Sequence, residues 1–315
     1  DLFQLLAVHH NHRCAHHVRV FRLEAVEIID RHIAYHLALG VSGFVIADLD
    51  SEDGTSERLE RYRGDPRFVI RRYALDSLID ETGPRTPEVG RWMLEAAREH
   101  FAPDWIVRMD ADEFLHPFGE LGSVLLELGD EPCFQIERRN VFFESGLEIP
   151  SPPVTPAALA EFSVVAEPVS TNAADYGADD SVPLILTKVG PKVIFRPQIA
   201  TAYATGGHGV LDEQGRLYTA RTARTLGVVH FWFTTPGRFA RKGRFAARTK
   251  ELLSRNARAN QGWQWSRWAR IVEAGDSPGE PSLDHEYQRQ FPQPQVMEQL
   301  RRSGMVRSVA DAWTL

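Results

Sequence analysis

The apolar positions fall into short continuous runs separated by stretches of helical spacing, and the two patterns alternate along the first third of the chain. Residues 18–22 read as a short strand. Residues 24–39 read as a helix, with Val26, Ile29, Ile33 and Leu37 on one face and Gly40 as its stop. Residues 43–48 give a second apolar strand, the turn 49–55 opens a helix through about residue 63, and residues 68–73 give a third strand. Pro87 suits the first turn of a helix running to about residue 100, with Val89, Trp92, Met93 and Ala96 inward. Residues 105–109 (Trp-Ile-Val-Arg-Met) then form a buried strand that runs into Asp110-Ala111-Asp112-Glu113. Strand and helix in succession, three times and then a fourth strand, predict a parallel, doubly wound α/β sheet with right-handed crossovers.

Beyond residue 115 the pattern loosens. Residues 119–128 read as a short helix and residues 133–143 as a strand. Residues 144–184, carrying Pro150, Pro152, Pro153 and Pro156, read as a long loop over the site, a lid or acceptor-binding element. Residues 193–196 and 228–233 are late strands, and residues 236–256 a basic helix. Trp263, Trp265 and Trp268 lie in a C-terminal helical region, where they either stack on a sugar ring or pack the tail onto the domain. At the other end, residues 3–8 read as an edge strand followed by a polar loop. The histidines there (His9, His10, His12, His16 and His17) fit no standard metal spacing. His32 and His36 are an i, i+4 pair with no third ligand in view, which favours a packed or capped structural role.

Two strands end on carboxylates, at Asp48 and at Asp110. In an open α/β sheet ligands bind outside the carboxyl ends of the strands, so both acids are expected at one crevice. Asp110-Ala111-Asp112 is a hard-oxygen set suited to Mg²⁺ or Mn²⁺, ions that bridge protein carboxylates to substrate phosphates.

Composition changes this picture in three places. With 315 residues, 43% hydrophobic and 25% charged, the chain has the make-up of an ordinary globular protein of one large or two smaller domains. It has no apolar run of membrane-spanning length and no recognisable signal peptide, and it opens abruptly at Asp1, as after trimming. Cys14 and Cys133 make neither a disulfide framework nor a zinc spacing, which fits a reducing compartment. The net charge of −7 conceals an asymmetry: residues 188–270 hold sixteen Lys/Arg against three acids, a local +13 that leaves −20 on the rest. Such a basic segment points to phosphates or an anionic surface. It contains no recognised nucleic-acid module.

Taken together and in order, several pieces resemble the family 2-type glycosyltransferases of GT-A fold, in the branch that starts with an Asn-Glu turn and a Trp-x-x-x-His helix. The pieces are Leu23-Glu24, Ile33-Ala34-Tyr35-His36, Ile46-Ala47-Asp48, Ser51-Glu52-Asp53-Gly54-Thr55 and Asp104-Trp105-Ile106 with Asp110-Ala111-Asp112-Glu113-Phe114-Leu115. Later pieces are Lys192-Val193-Ile194-Phe195-Arg196-Pro197, His208, and Val229-His230-Phe231-Trp232 with Phe239-Ala240-Arg241-Lys242. The resemblance covers residues 18–270. Leu23, His32 and Leu49 stand where that branch has Asn, Trp and Asn.

The resemblance implies a GT-A domain over residues 1–270, with a nucleotide-binding half (18–115), an acceptor and metal half (116–270) and a helical tail (271–315). It implies a UDP- or GDP-sugar donor, Mn²⁺ or Mg²⁺, and an inverting transfer to a glycan or lipid-linked acceptor. Asp48 and Asp53 would meet the donor's base and ribose. Asp110 and Asp112 would form the Asp-x-Asp motif, with Asp110 also at the donor and Asp112 the direct metal ligand, and His230 a further ligand. Lys242 and Arg244 would hold the diphosphate, and His208 would approach the site. A general base is needed on the opposite face of the sugar. Glu113 and Glu144 are the candidates for it, beside Asp175, Asp179 and Asp180, and Glu113 serves equally well as a structural acid behind the metal motif. The expected location is cytoplasmic, with peripheral contact to an anionic inner membrane face through Arg241, Lys242 and Arg244. A metal-dependent phosphohydrolase or nucleotidyltransferase shares the paired carboxylates, but nucleotidyltransferases of related architecture have a Gly-rich basic loop that residues 22–25 lack. An inactive nucleotide-sugar-binding relative is the other alternative.

Overall fold

The structure is a computed structural model that describes residues 2–3, 6–9, 13–21, 25–74, 79–80, 83–84, 86–144, 150–170, 182–204, 208–253, 263–275 and 282–313. Its elements are β1 (Leu2–Phe3), β2 (Leu6–His9), β3 (Arg13–Phe21), α1 (Ile29–Ala38), β4 (Gly43–Leu49), α2 (Thr55–Glu60), β5 (Phe68–Arg72), β6 (Ile79–Asp80), β7 (Gly83–Pro84), α3 (Thr86–Phe101), β8 (Ile106–Met109), β9 (Glu113–Pro117), α4 (Leu121–Glu127) and β10 (Cys133–Asn140). There follow α5 (Pro156–Leu159), β11 (Ser163–Val165), β12 (Lys192–Phe195), β13 (Ala202–Tyr203), β14 (Val210–Leu211), β15 (Arg221–His230), α6 (Pro236–Leu253), α7 (Trp263–Ala274), α8 (Leu283–Gln288), α9 (Pro294–Arg302), β16 (Val306–Ser308) and α10 (Val309–Ala312).

The expected α/β architecture is present. The main sheet runs β5-β4-β3-β8-β12-β10-β15-β9. Its first four strands are parallel, with helices between them, as the alternating pattern requires. β12 then joins antiparallel to both β8 and β10, β15 lies parallel to β10, and β9 closes the far edge antiparallel to β15. Both faces are covered. Ile29, Ile33, Phe44, Ile46, Val107 and Leu125 make one core. Val45, Ala47, Val89, Met93, Ile106 and Phe195 make a second, around α3.

β8 and β9 stand four strands apart in the sheet, yet only Ala111 and its neighbours 110 and 112 separate them in sequence. A flat sheet would hold the two strands about 19 Å apart. The four steps from Met109 to Glu113 reach about 14 Å at full stretch. The turn is tighter still, because Glu113 N donates to Asp110 O at 3.0 Å. The sheet therefore curls until these ends meet, and the acidic turn is the seam.

Several elements differ from the sequence reading. α1 begins at Ile29, not residue 24; residues 26–28 form a turn, in which the Asp53 carboxylate takes the amide of Val26, and Thr55 Oγ1 takes that of Ala25 just before it, both at 3.0 Å. The polar loop expected after the first edge strand contains the start of β3, which pairs with β1 and β2; His10 and His12 lie outside the described residues. Residues 144–184 are not simply a loop. Leu159, Val164 and Val165 are buried in a third core with Phe231 and Phe233, and this burial sustains α5 and β11. Residues 145–149 and 171–181, with Asp175, Asp179 and Asp180, lie outside the described residues. The tail is not purely helical either, since β16 pairs with β11, and Tyr287, Met297 and Val309 enter the same third core.

Candidate active site

The acidic turn is built from the backbone inward. β8 delivers Asp110 at the carboxyl edge of the parallel strands, and the Phe231 amide donates to Asp112 O at 2.7 Å, anchoring the turn to the end of β15. Asp110 and Asp112 are 5% and 4% exposed, and Glu113 is fully buried. Carboxylates that far from water need counter-charges. Four basic side chains supply them.

Lys192 Nζ, the first side chain of β12, lies 2.9 Å from Asp110 Oδ2 and 3.0 Å from Glu113 Oε2. Arg138, from β10, pairs with Glu113 Oε1 and stands 3.9 Å from Asp110. Asp110 N donates to Glu113 Oε2 at 2.7 Å. Burial is the strongest influence on Glu113 and opposes its charge, but Lys192 and Arg138 outweigh it and hold the carboxyl down at about 2. Asp110 goes the other way, raised to about 7 by burial and then by Glu113 beside it. Its Oδ1 is buried without a hydrogen-bond partner.

Asp112 faces α6. Its Oδ2 accepts from Arg238 Nη2 at 2.7 Å and Lys242 Nζ at 2.8 Å. Burial again acts against the charge, yet Lys242, Arg238 and His230 together hold Asp112 well below the usual carboxylate range. Burial and the neighbouring Arg238 lower Lys242 to about 8. Asp112 Oδ1 lies 3.7 Å from His230 Nε2, beyond hydrogen-bond range. Burial lowers His230 to about 4, leaving a neutral ring at ordinary pH.

Among the described residues no three His, Cys, Asp or Glu side chains form a group arranged to hold a metal ion. The atoms left over nonetheless fit one. Asp112 Oδ1 and His230 Nε2 face each other, Asp110 Oδ1 is unsatisfied, and Mg²⁺ characteristically takes one or two protein carboxylates and completes its shell with substrate phosphates and water.

The other residues singled out by sequence are placed as follows. Asp48 is 2% exposed at the end of β4 and turns into its own loop, accepting from Ser51 N at 3.1 Å and pairing with Ser56 Oγ; burial raises its pKa. Asp48 and Asp110 share the carboxyl edge, but among the described residues no hydrogen bond or ion pair joins Asp48 to the acidic turn. Asp53 spends both oxygens on the chain itself: Oδ2 on Val26 N, Oδ1 on Thr55 N at 3.0 Å and Thr55 Oγ1 at 2.5 Å. Both oxygens of Glu113 are engaged, Oε1 by Arg138 and Oε2 by Lys192 and the Asp110 amide. Glu144 is exposed and paired with Arg301. Arg244 is exposed on α6, two residues from Lys242 and thus on a different side of the helix. His208 does approach: its ring packs over Gly190, its Nδ1 contacts Pro191 O at 2.7 Å, and burial, then Arg138 and Lys192, lower it to about 4. His32 and His36 are fully buried, their rings 4.2 Å apart, and His36 is hydrogen-bonded at both nitrogens, the structural role expected.

Arg138, Lys192, Arg238 and Asn140 were not identified from sequence as site residues. Arg238 carried a usable signal, since it precedes Lys242 by four residues and shares its helix face.

No family model matches the chain, and no curated protein matches it. Among solved structures it is similar to S. aureus TarS 1–349, a wall teichoic acid glycosyltransferase, with a TM-score of 0.35, 11% identity, and coverage of 82% of this chain and 71% of that one.

Proposed function

We propose that the protein is a glycosyltransferase that moves a sugar from a UDP- or GDP-sugar to a hydroxyl of a glycan or lipid-linked acceptor, with inversion. The supporting observation is Asp112: a buried carboxylate at the carboxyl edge of a parallel sheet, with Arg238 and Lys242 on one oxygen and an open imidazole nitrogen opposite the other. Four cations around three carboxylates leave an excess of positive charge, which suits a diphosphate. The motif resemblance points to the same chemistry.

In this reading Lys242 and Arg238 share their protons between Asp112 and the donor's phosphate oxygens. The acceptor oxygen bonds to the anomeric carbon as the bond from that carbon to the diphosphate oxygen breaks. The bonding pair leaves with the diphosphate, where the two cations stabilise the growing charge in a site largely shut from water. The acceptor's proton passes to a carboxylate. Glu144 is the exposed candidate, whereas Glu113 has no oxygen to spare. A divalent cation held by Asp112 and His230 would add Lewis-acid stabilisation of the leaving group. Asp110 and Asp48 would orient the donor.

A thermal-shift panel of UDP- and GDP-sugars, with and without Mn²⁺, tests this on wild type, Asp112→Ala and Lys242→Ala. A donor at a hundredfold excess over its dissociation constant adds about 2.7 kcal/mol of stability. One nucleotide should stabilise wild type alone, and a matching acceptor should then release nucleoside diphosphate and a glycosylated product together. Release of sugar 1-phosphate and nucleoside monophosphate, with no glycosylated product from any acceptor, would assign a phosphohydrolase instead. No stabilisation by any donor would overturn the reading.

A further inference from the structure

Asn140 ends β10 and His230 ends β15, and the two are paired in parallel register. Both are buried, at 2% and 5% exposure. The Asn140 amide nitrogen donates to Ile185 O at 3.0 Å and Thr187 O at 3.3 Å. Those two carbonyls fix which end of the amide is which, so Oδ1 is the atom 2.9 Å from His230 Nδ1. A carbonyl oxygen can only accept, so the proton of that bond belongs to Nδ1. A neutral imidazole protonated at Nδ1 carries its lone pair on Nε2. That nitrogen stands 3.7 Å from Asp112 Oδ1, beyond hydrogen-bond distance, so the shorter contact with Asn140 sets the tautomer. Trp232 stacks on the ring at 5.5 Å between centroids and fixes its plane.

We propose that Asn140 is a positioning residue that locks His230 in the Nδ1-protonated tautomer and aims the Nε2 lone pair, together with Asp112 Oδ1, at a divalent cation. The cation part rests on the metal-assisted reading above; the tautomer does not. Partners of this kind typically change metal affinity by about 10- to 100-fold when removed.

The test is two-bond ¹H–¹⁵N correlation of the imidazoles in the full chain, with His230 assigned by the cross-peaks lost in His230→Gln. Mn²⁺ affinity is read beside it by electron paramagnetic resonance. Wild type should show a pyrrole-type Nδ1 and a pyridine-type Nε2. Asn140→Leu should mix the tautomers and weaken Mn²⁺ binding at least tenfold, while Asn140→Asp, which keeps an acceptor at that place, should retain the wild-type pattern. A pyridine-type Nδ1 in wild type would overturn the proposal even if Asn140→Leu failed to fold. So would an unchanged tautomer and affinity in a folded Asn140→Leu. The expected tautomer without any Mn²⁺ binding would overturn the cation half and the metal-assisted reading, and leave the tautomer lock standing.

Discussion

Lys192 has no exposed surface, and its ammonium bridges Asp110 and Glu113. Replacing it by Met leaves two buried acids with Arg138 alone, a change of the kind that costs about 3–5 kcal/mol. Urea unfolding of Lys192→Met should show a loss of that order, and a loss under 1 kcal/mol would mean that the acids reach water when the lysine goes. Lys242 makes a second, pH-dependent statement. Burial lowers it to about 8, so its charge, and with it donor affinity, should fall as pH rises through about 8. Stability should move the other way: between about 8 and the ordinary lysine value of 10.5 the unfolded chain holds a proton that the folded chain has shed, so folding grows more favourable with pH. Donor titrations and urea midpoints from pH 7 to 10 check the two slopes, which should vanish together in Lys242→Met. At this scale the acids were legible in sequence and the bases were not. Asp110, Asp112 and Glu113 stand together after an apolar run, whereas Arg138 lies inside the charged run Glu137-Arg138-Arg139 and Lys192 is a lone charge on a strand, patterns shared with any solvated strand face.

α6 carries its cations on different faces. Arg238 and Lys242 turn into the site, Arg241 bridges Glu27 at 2.7 Å, and Arg244 is exposed. Arg238→Ala should therefore weaken donor binding by about tenfold or more, the worth of one charge-assisted bond, whereas Arg244→Ala should leave it unchanged by calorimetry. Of the three residues expected to meet an anionic membrane, only Arg244 is not tied inward, so any liposome binding should respond to Arg244→Glu before the other two. The parallel strands were legible because each is an apolar run followed by a helical period. β9 was hidden inside the acidic motif, and the pairings of β10, β12 and β15 join segments up to about a hundred residues apart that no local pattern connects.

The C-terminal segment is tied into the whole molecule by shared packing. Trp313 lies where a Cβ on Gly227 would sit, 2.7 Å from its ring, and Arg139 stacks on the same indole at 4.6 Å. Removal of residues 306–315 takes away the partner strand of β11 and part of the third core. Hydrogen exchange of the truncated chain should then speed up over residues 156–166 and leave β4 and β8 protected; uniform protection would show that the segment only decorates the surface. The curl that brings β8 to β9 has a further consequence, in the order of events during synthesis. The acids are made first; Arg138 follows Glu113 by 25 residues, but the other counter-charges, Lys192, Arg238 and Lys242, come 82, 126 and 130 residues later. A nascent chain that stops short of α6 holds Asp112 with no cation to receive it, and contacts of such long range are slow to form. The acidic seam must therefore be among the last regions to settle, so that in refolding the recovery of ligand binding should lag behind the recovery of helix and sheet.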